Sequence, residues 1–232
     1  MLALVYLTAF ASLGVQIVAL VGRDGILPAA DVMPLAADWA AQNGVGWRRY
    51  LLVPTLGWVD TSDAGLQLQC LAGVALSGLL LAGRAPTACL IGSWGLYLSL
   101  STFCREFLSF QWDALLLETG LLATFLAAPV RTGGWDALER PSGLMIWLVW
   151  WLLFRLMFGS GVVKLASGDP AWHSLTALSY HYETQPLPTA LAWYVHQAPA
   201  WCDRIWCGAM FAIELGTPVL IFAARRWRLV AC

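Results

Sequence analysis

Long apolar runs separated by polar stretches organise the chain. Leu2 to Val21 forms the first, with Gln16 as its one strongly polar residue. Further runs cover 65–81, 87–103, 107–128, 143–165 and 206–224. Each approaches the roughly 20 residues that a helix needs to cross a hydrocarbon core of ~30 Å. Inside lipid every backbone polar group must find an internal partner, so such runs are read as helices. The pattern predicts an all-α fold, a polytopic transmembrane helical bundle of about six spans. Two long polar segments, 22–63 and 167–204, become its outer loops. In the first, Pro28, Pro34 and Pro54 interrupt regular structure, and a short helix is expected over 31–43, ending at Gly44. Residues 50–59 are expected along the interface, anchored by Trp47 and Trp58. Cys104-Arg105-Glu106 is a very short link, so the third and fourth spans form a hairpin.

Composition agrees with that pattern. Of 232 residues, 59% are hydrophobic and 12% charged, where soluble domains carry roughly 25% charged residues. The mean hydropathy is +0.68. A net charge of −1 and the lack of a large Lys/Arg cluster exclude nucleic acid as an expected partner. The partner implied is the lipid bilayer, and 14 Trp fit the half-wet boundary of a membrane. Basic residues decide orientation: Arg84, Arg131, Arg140, Arg225, Arg226 and Arg228 fall in the shorter loops, which places the N-terminus in the cytoplasm. Both long loops then face the exported side. The first segment lacks the basic start and cleavage site of a signal peptide. A new apolar stretch begins near Cys232, so the chain is expected to be part of a longer protein without its C-terminal soluble domain. Abundant Ala, Gly and Arg with little Lys point to a GC-rich, bacterial genome. Cys70 and Cys89 read as small core residues, and Cys202 and Cys207 fall on different faces of a helix. No CxxC or zinc-type spacing is present, so no metal and no cofactor are expected.

The candidate chemistry lies in charges placed where lipid is expected. Asp113 and Glu118 sit in 107–128, Arg155 and Lys164 in 143–165, and Glu214 in 206–224. A charge near the middle of a span costs about 2.5 kcal/mol or more, so something must offset it. Glu118 and Arg155 lie at the midpoints of adjacent antiparallel spans and are expected to pair. Asp113 sits about 9 Å inside the outer boundary, near the depth a snorkelling Lys164 reaches, which suggests a second pair. Ser160, Gly161, Lys164 and Gly168 form a small-residue stripe that lets another backbone approach. Two readings stay open: clamps that fix helix register, or a buried acid–base or ligand site. In the second outer loop, Trp172, Tyr180, His181, Tyr182, Glu183 and Gln185 are dense in aromatic and hydrogen-bonding groups. They form either an interfacial loop packed on the bundle or a recognition surface. No phosphate loop, GxSxG or metal triad accompanies them.

Several segments resemble one family. SFQWDALLLETG, FRLMFGSGVVKLASGDPAW and LTALSYHYETQPLP are similar to the lipase maturation factor family, as is the opening LVYLTAFASLGVQIVALVGRDGILPA. The resemblance implies a polytopic protein of the endoplasmic reticulum, or of the plasma membrane in a bacterial relative. It implies a maturation factor that helps exported lipases fold and assemble into active form, and no lipase activity of its own. Client binding in that family is associated with a large C-terminal luminal domain. A second, shorter likeness joins FGSGVVKL and its following Trp to vitamin K-dependent carboxylase. It implies an alternative, a membrane enzyme with Lys164 as buried base, Asp113 or Glu118 tuning it, and His181 as a further catalytic candidate.

Overall fold

The structure, a computed structural model, describes residues 1–127, 142–186 and 189–223. All its regular elements are helical, as the hydropathy pattern predicts. Most of the loop 129–142, with Arg131 and Arg140, and the basic Arg225, Arg226 and Arg228 lie outside the described residues. The chain divides into two units, Met1–Met145 and Ile146–Cys232.

In the first unit, α1 (Leu2–Val21) packs on α4 (Asp63–Leu81), α4 on α5 (Pro86–Phe103), and α5 on α6 (Gln111–Leu126). Between α1 and α4 the chain folds into α2 (Ala29–Gln42), the four-residue α3 (Arg49–Leu52) and short 3-10 turns. The helix expected over 31–43 is α2, and Gly44 beyond it has a positive φ of 61°. Two of the long helices start for a local reason. Ser62 caps α4 by accepting the Gly65 N–H at 3.1 Å. Pro86 occupies the first position of α5, where its missing N–H is not needed.

Tyr6, Phe10 and Tyr97 form the aromatic centre of this unit, with ring centroids 5.7–6.1 Å apart. Ile17, Leu66 and Leu100 fill the rest and are fully buried. Phe10 reaches that centre because position 73 is glycine: a Cβ there would stand 2.4 Å from the ring. In lipid, helix association depends on such close packing, since lipid tails are as apolar as leucine. Polar ties fix the ends. The Arg23 N–H donates to Asp63 Oδ1 at 2.8 Å, joining the end of α1 to the start of α4. The Ser99 hydroxyl donates to Gln69 Oε1 at 2.7 Å and accepts the Leu56 N–H at 2.8 Å. That hydroxyl holds residues 55–58 against α4 and α5. The Trp58 indole N–H donates to the Val53 carbonyl at 2.9 Å, inside the segment expected along the interface.

The second unit holds most of α7 (Gly143–Ala166), then α8 (Pro170–His173), α9 (Ala177–Thr184), α10 (Ala190–His196) and α11 (Ala200–Phe211). After α11 the helix widens into a π turn, Ala212–Gly216, and tightens into a 3-10 stretch, Thr217–Phe222. On α7, Trp147, Trp151, Phe154 and Phe158 stack in sequence, with centroids 5.1–5.8 Å apart. Their spacing alternates between four and three residues, which keeps them on one helix face.

Four described helices are long and apolar enough to cross a membrane: Leu2–Val21, Asp63–Leu81, Gly143–Ala166 and Ala200–Phe222. The chain is an integral membrane protein, and the expectation of about six spans is not confirmed. Residues 87–103 are helical in α5, whose run of hydroxyl groups lowers its hydropathy. The run 107–128 becomes helical only at Gln111, because the Phe107 and Leu108 N–H groups turn back to the Cys104 carbonyl. Its 16 residues measure about 24 Å, short of the ~30 Å core. The helix expected over 206–224 starts earlier, at Ala200. Residues 167–204, expected as a loop, contain three short helices before Ala200. Asp169 starts the first by accepting the Ala171 N–H at 2.9 Å, and Thr189 starts the third by accepting the Ala192 N–H at 3.2 Å.

Candidate functional site: charges in apolar helices and a cluster of short helices

The charges in apolar helices are engaged in different ways. Asp113, in the first turn of α6, is 4% exposed. Its Oδ1 accepts the Tyr97 hydroxyl at 2.6 Å. A charge-assisted bond of this length is stronger than a neutral one. The carboxylate therefore faces into its unit, and the partner that the sequence did not reveal is a tyrosine.

Lys164 ends α7. Its ammonium donates to Glu214 Oε1 at 2.5 Å and to Ser160 Oγ at 3.0 Å. The Ser160 hydroxyl also donates to Glu214 Oε1, at 3.3 Å. Lys164 and Glu214 are 22% and 14% exposed. Within the second unit the carboxylate that meets Lys164 is Glu214; the expected partner, Asp113, lies in the first unit. The physical reason is close approach: at Gly161, one turn from Lys164, a Cβ would stand 2.6 Å from Leu215. A bare backbone on α7 admits the π turn, and Glu214 comes with it. Trp172 covers the other side, with Lys164 Nζ 5.7 Å from its ring centroid. The reading of Lys164 as an enzyme's base gains no support here, because its ammonium is already held by a carboxylate and a hydroxyl. Glu118 lies on α6 in the first unit and Arg155 on α7 in the second.

The outer-loop candidates fall on one short element and its neighbours. Tyr180, His181, Tyr182 and Glu183 are on α9, Gln185 is its C-cap, and Trp172 is on α8. Three contacts hold α9. The Ser179 hydroxyl donates to Asp203 Oδ2 on α11 at 2.6 Å. Glu183 pairs with His196 Nε2 on α10 at 3.1 Å. The Tyr182 ring meets the His196 ring edge-on at 6.4 Å. Burial, and then the nearby Asp203 charge, raise the Tyr182 phenol above its ordinary value, so it stays a neutral hydrogen-bonding group. Tyr180 and His181 are exposed and, with Asp169, Trp172 and Thr184, line a depression of about 580 Å³. The sequence signalled neither His196 nor Asp203 as partners, since each meets α9 from an element well removed from it along the chain. Among the described residues no group of three or more His, Cys, Asp or Glu is placed to hold a metal ion.

Comparison with known proteins places this geometry in context. The family model for the lipase maturation factor transmembrane domain matches residues 1–232. Lipase maturation factor 2 of Gallus gallus is 47% identical over 99% of this chain and 33% of its own length. The Homo sapiens lipase maturation factor 2 is 46% identical over 99% of the chain and 34% of its own length. Lipase maturation factor 1 of Mus musculus is 35% identical over 99% of the chain and 40% of its own length. The chain spans about a third of the length of the first of these relatives. No solved structure matches it.

Proposed function

Since the chain belongs to the lipase maturation factor family, we propose that it is the membrane-embedded part of a factor that assists exported lipases to fold and assemble into active form. The observation that carries this reading is the family match over all 232 residues, joined by 47% identity to a named maturation factor. In this reading the chain performs no hydrolysis. It holds a platform in the membrane and presents short helices to an exported client. The recognition surface is Trp172, Tyr180, His181, Tyr182, Glu183 and Gln185, kept in place by the Ser179–Asp203 and Glu183–His196 contacts. The intramembrane charges Asp113, Glu118, Arg155, Lys164 and Glu214 act as clamps that fix helix register. The N-terminus is cytoplasmic, and 22–63 and 167–204 face the exported side. The membrane is that of the endoplasmic reticulum in a eukaryote and the plasma membrane in a bacterium.

The test is genetic and biochemical together. Loss of the gene should lower secreted lipase activity while leaving lipase synthesis unchanged, and re-expression of the full protein should restore activity. Normal secreted activity in the deletion strain would end the proposal.

A further inference from the structure

Asp113 has a second carboxylate oxygen. Oδ2 is buried and makes no hydrogen bond among the described residues, while Oδ1 is taken by Tyr97. A desolvated carboxylate oxygen without a donor is unfavourable, and it is a strong acceptor for whatever supplies one. Asp113 lines a groove of about 770 Å³ in the first unit, between α1 and the segment that leads from Glu106 into α6. Along α1 the lining extends from Leu4 to Leu20, a length of about 24 Å. One leaflet of a bilayer with its headgroups measures about 20–22 Å, half of the whole thickness. The groove is therefore as long as one lipid.

Its polarity also runs lengthwise. The Arg23–Asp63 and Ser99–Gln69 bonds put the end of α1, the start of α4 and the end of α5 together, so α6 also starts there. Gln16, Glu106 and Asp113 fall in this half of the groove, among apolar residues such as Leu20 and Phe107, while the other half is lined by Leu4, Val5 and Leu116. Thr8, in the apolar half, turns its hydroxyl back onto the Leu4 carbonyl at 2.9 Å. Gln16 gives its amide N–H groups to the Ser12 carbonyl at 3.0 Å and the Ser12 hydroxyl at 3.3 Å, and its carbonyl oxygen is an acceptor. The polar half thus offers acceptors and negative charge, and no lysine or arginine lines the groove. A phosphate or fatty-acid carboxylate would meet like charge there.

We infer that this groove holds one membrane lipid, acyl chain along α1, whose uncharged headgroup turns its hydroxyls to the acceptors at the Gln16, Glu106 and Asp113 end. The chemical class is a neutral polyol lipid such as a monoacylglycerol. The site is separate from the α8–α10 surface and does not depend on the lipase reading.

The test uses the full protein in nanodiscs with a monoacylglycerol that carries a photoreactive diazirine in its chain. Labelled peptides should map to α1 and to residues 106–116. Unlabelled monooleoylglycerol should compete about tenfold better than oleate at pH 8. Asp113→Asn should weaken labelling by a similar factor. Ser12→Phe, which obstructs the groove without touching the Tyr97–Asp113 bond, should abolish it even if Asp113→Asn folds poorly. Label spread evenly over the outward-facing helices, equal competition by oleate, or labelling unchanged by Ser12→Phe would each overturn the inference.

Discussion

At Lys164 and Glu214 two opposite charges share a mostly dry contact with one serine hydroxyl. Removing one partner leaves the other charge buried alone. Glu214→Gln is expected to lower stability in detergent by about 3–5 kcal/mol, measured by thermal or denaturant unfolding. Replacing both, as Lys164→Met with Glu214→Leu, should recover most of that loss, because a buried ion pair and a well-packed apolar pair are often of similar net value. At Asp60 the sign differs from a simple burial effect. The Ser62 backbone N–H, and then the Ser62 hydroxyl, hold its carboxyl below the ordinary carboxylate value. The folded form therefore gains stability that is present above the unfolded pKa of about 3.9 and is lost as pH falls through the lower folded value. An Asp60→Asn variant should lack this acid-dependent component in melting curves between about pH 5 and pH 2. The acids in α6 were conspicuous in the sequence because a charge stands out in an apolar run. Their partners were not. Tyr97 reads as one more core ring, and Lys164 meets an acid 50 residues away. Depth along a helix narrows the possible partners without saying which helices touch.

The elements divide in the same way. Long helices were legible because lipid demands continuous apolar runs, and four of them meet the length and hydropathy needed to cross. Helix ends were less so. Residues 107–110 are as apolar as a span, yet the hydrogen bonds to Cys104 spend them on a turn. Between α7 and α11, α8 to α10 have four, eight and seven residues, too few turns for an apolar period to be recognised. Their caps, Asp169 and Thr189, are the signals that were present. Where α7 meets the π turn, contact depends on Gly161. Gly161→Val should separate the two by forcing Leu215 aside, with about 1–3 kcal/mol of stability lost to overpacking. It should also increase exchange or labelling at Lys164. Gly159, where a Cβ meets nothing within 4 Å, is the control, and Gly159→Ala should be close to neutral.

For the molecule as a whole, the first unit makes a topological statement that can be checked from outside the membrane. The link 104–110 lies at the same end as Asp63, and Arg84 lies at the opposite end of α4 and α5. With the N-terminus inside, Arg84→Cys should react only with a reagent supplied to the cytoplasmic face, and Glu106→Cys only with one supplied to the exported face. Labelling of both from one side would mean that α5 does not traverse the bilayer. Conspicuous hydropathy identified the class of protein, and long shared segments identified the family. Neither could disclose that the chain divides into two compact units, because that depends on which helices meet. The π turn at Ala212–Gly216 bears on this larger scale as well. A π turn is an α-helix with one surplus residue, and each residue turns a helix by about 100°. The surplus residue is absorbed within the wide coil, so excising Ala212 would restore regular winding there and shift Glu214 relative to α11, while later residues keep nearly their former direction. One wide coil thus works as a local dial, setting where the lysine's counter-ion stands.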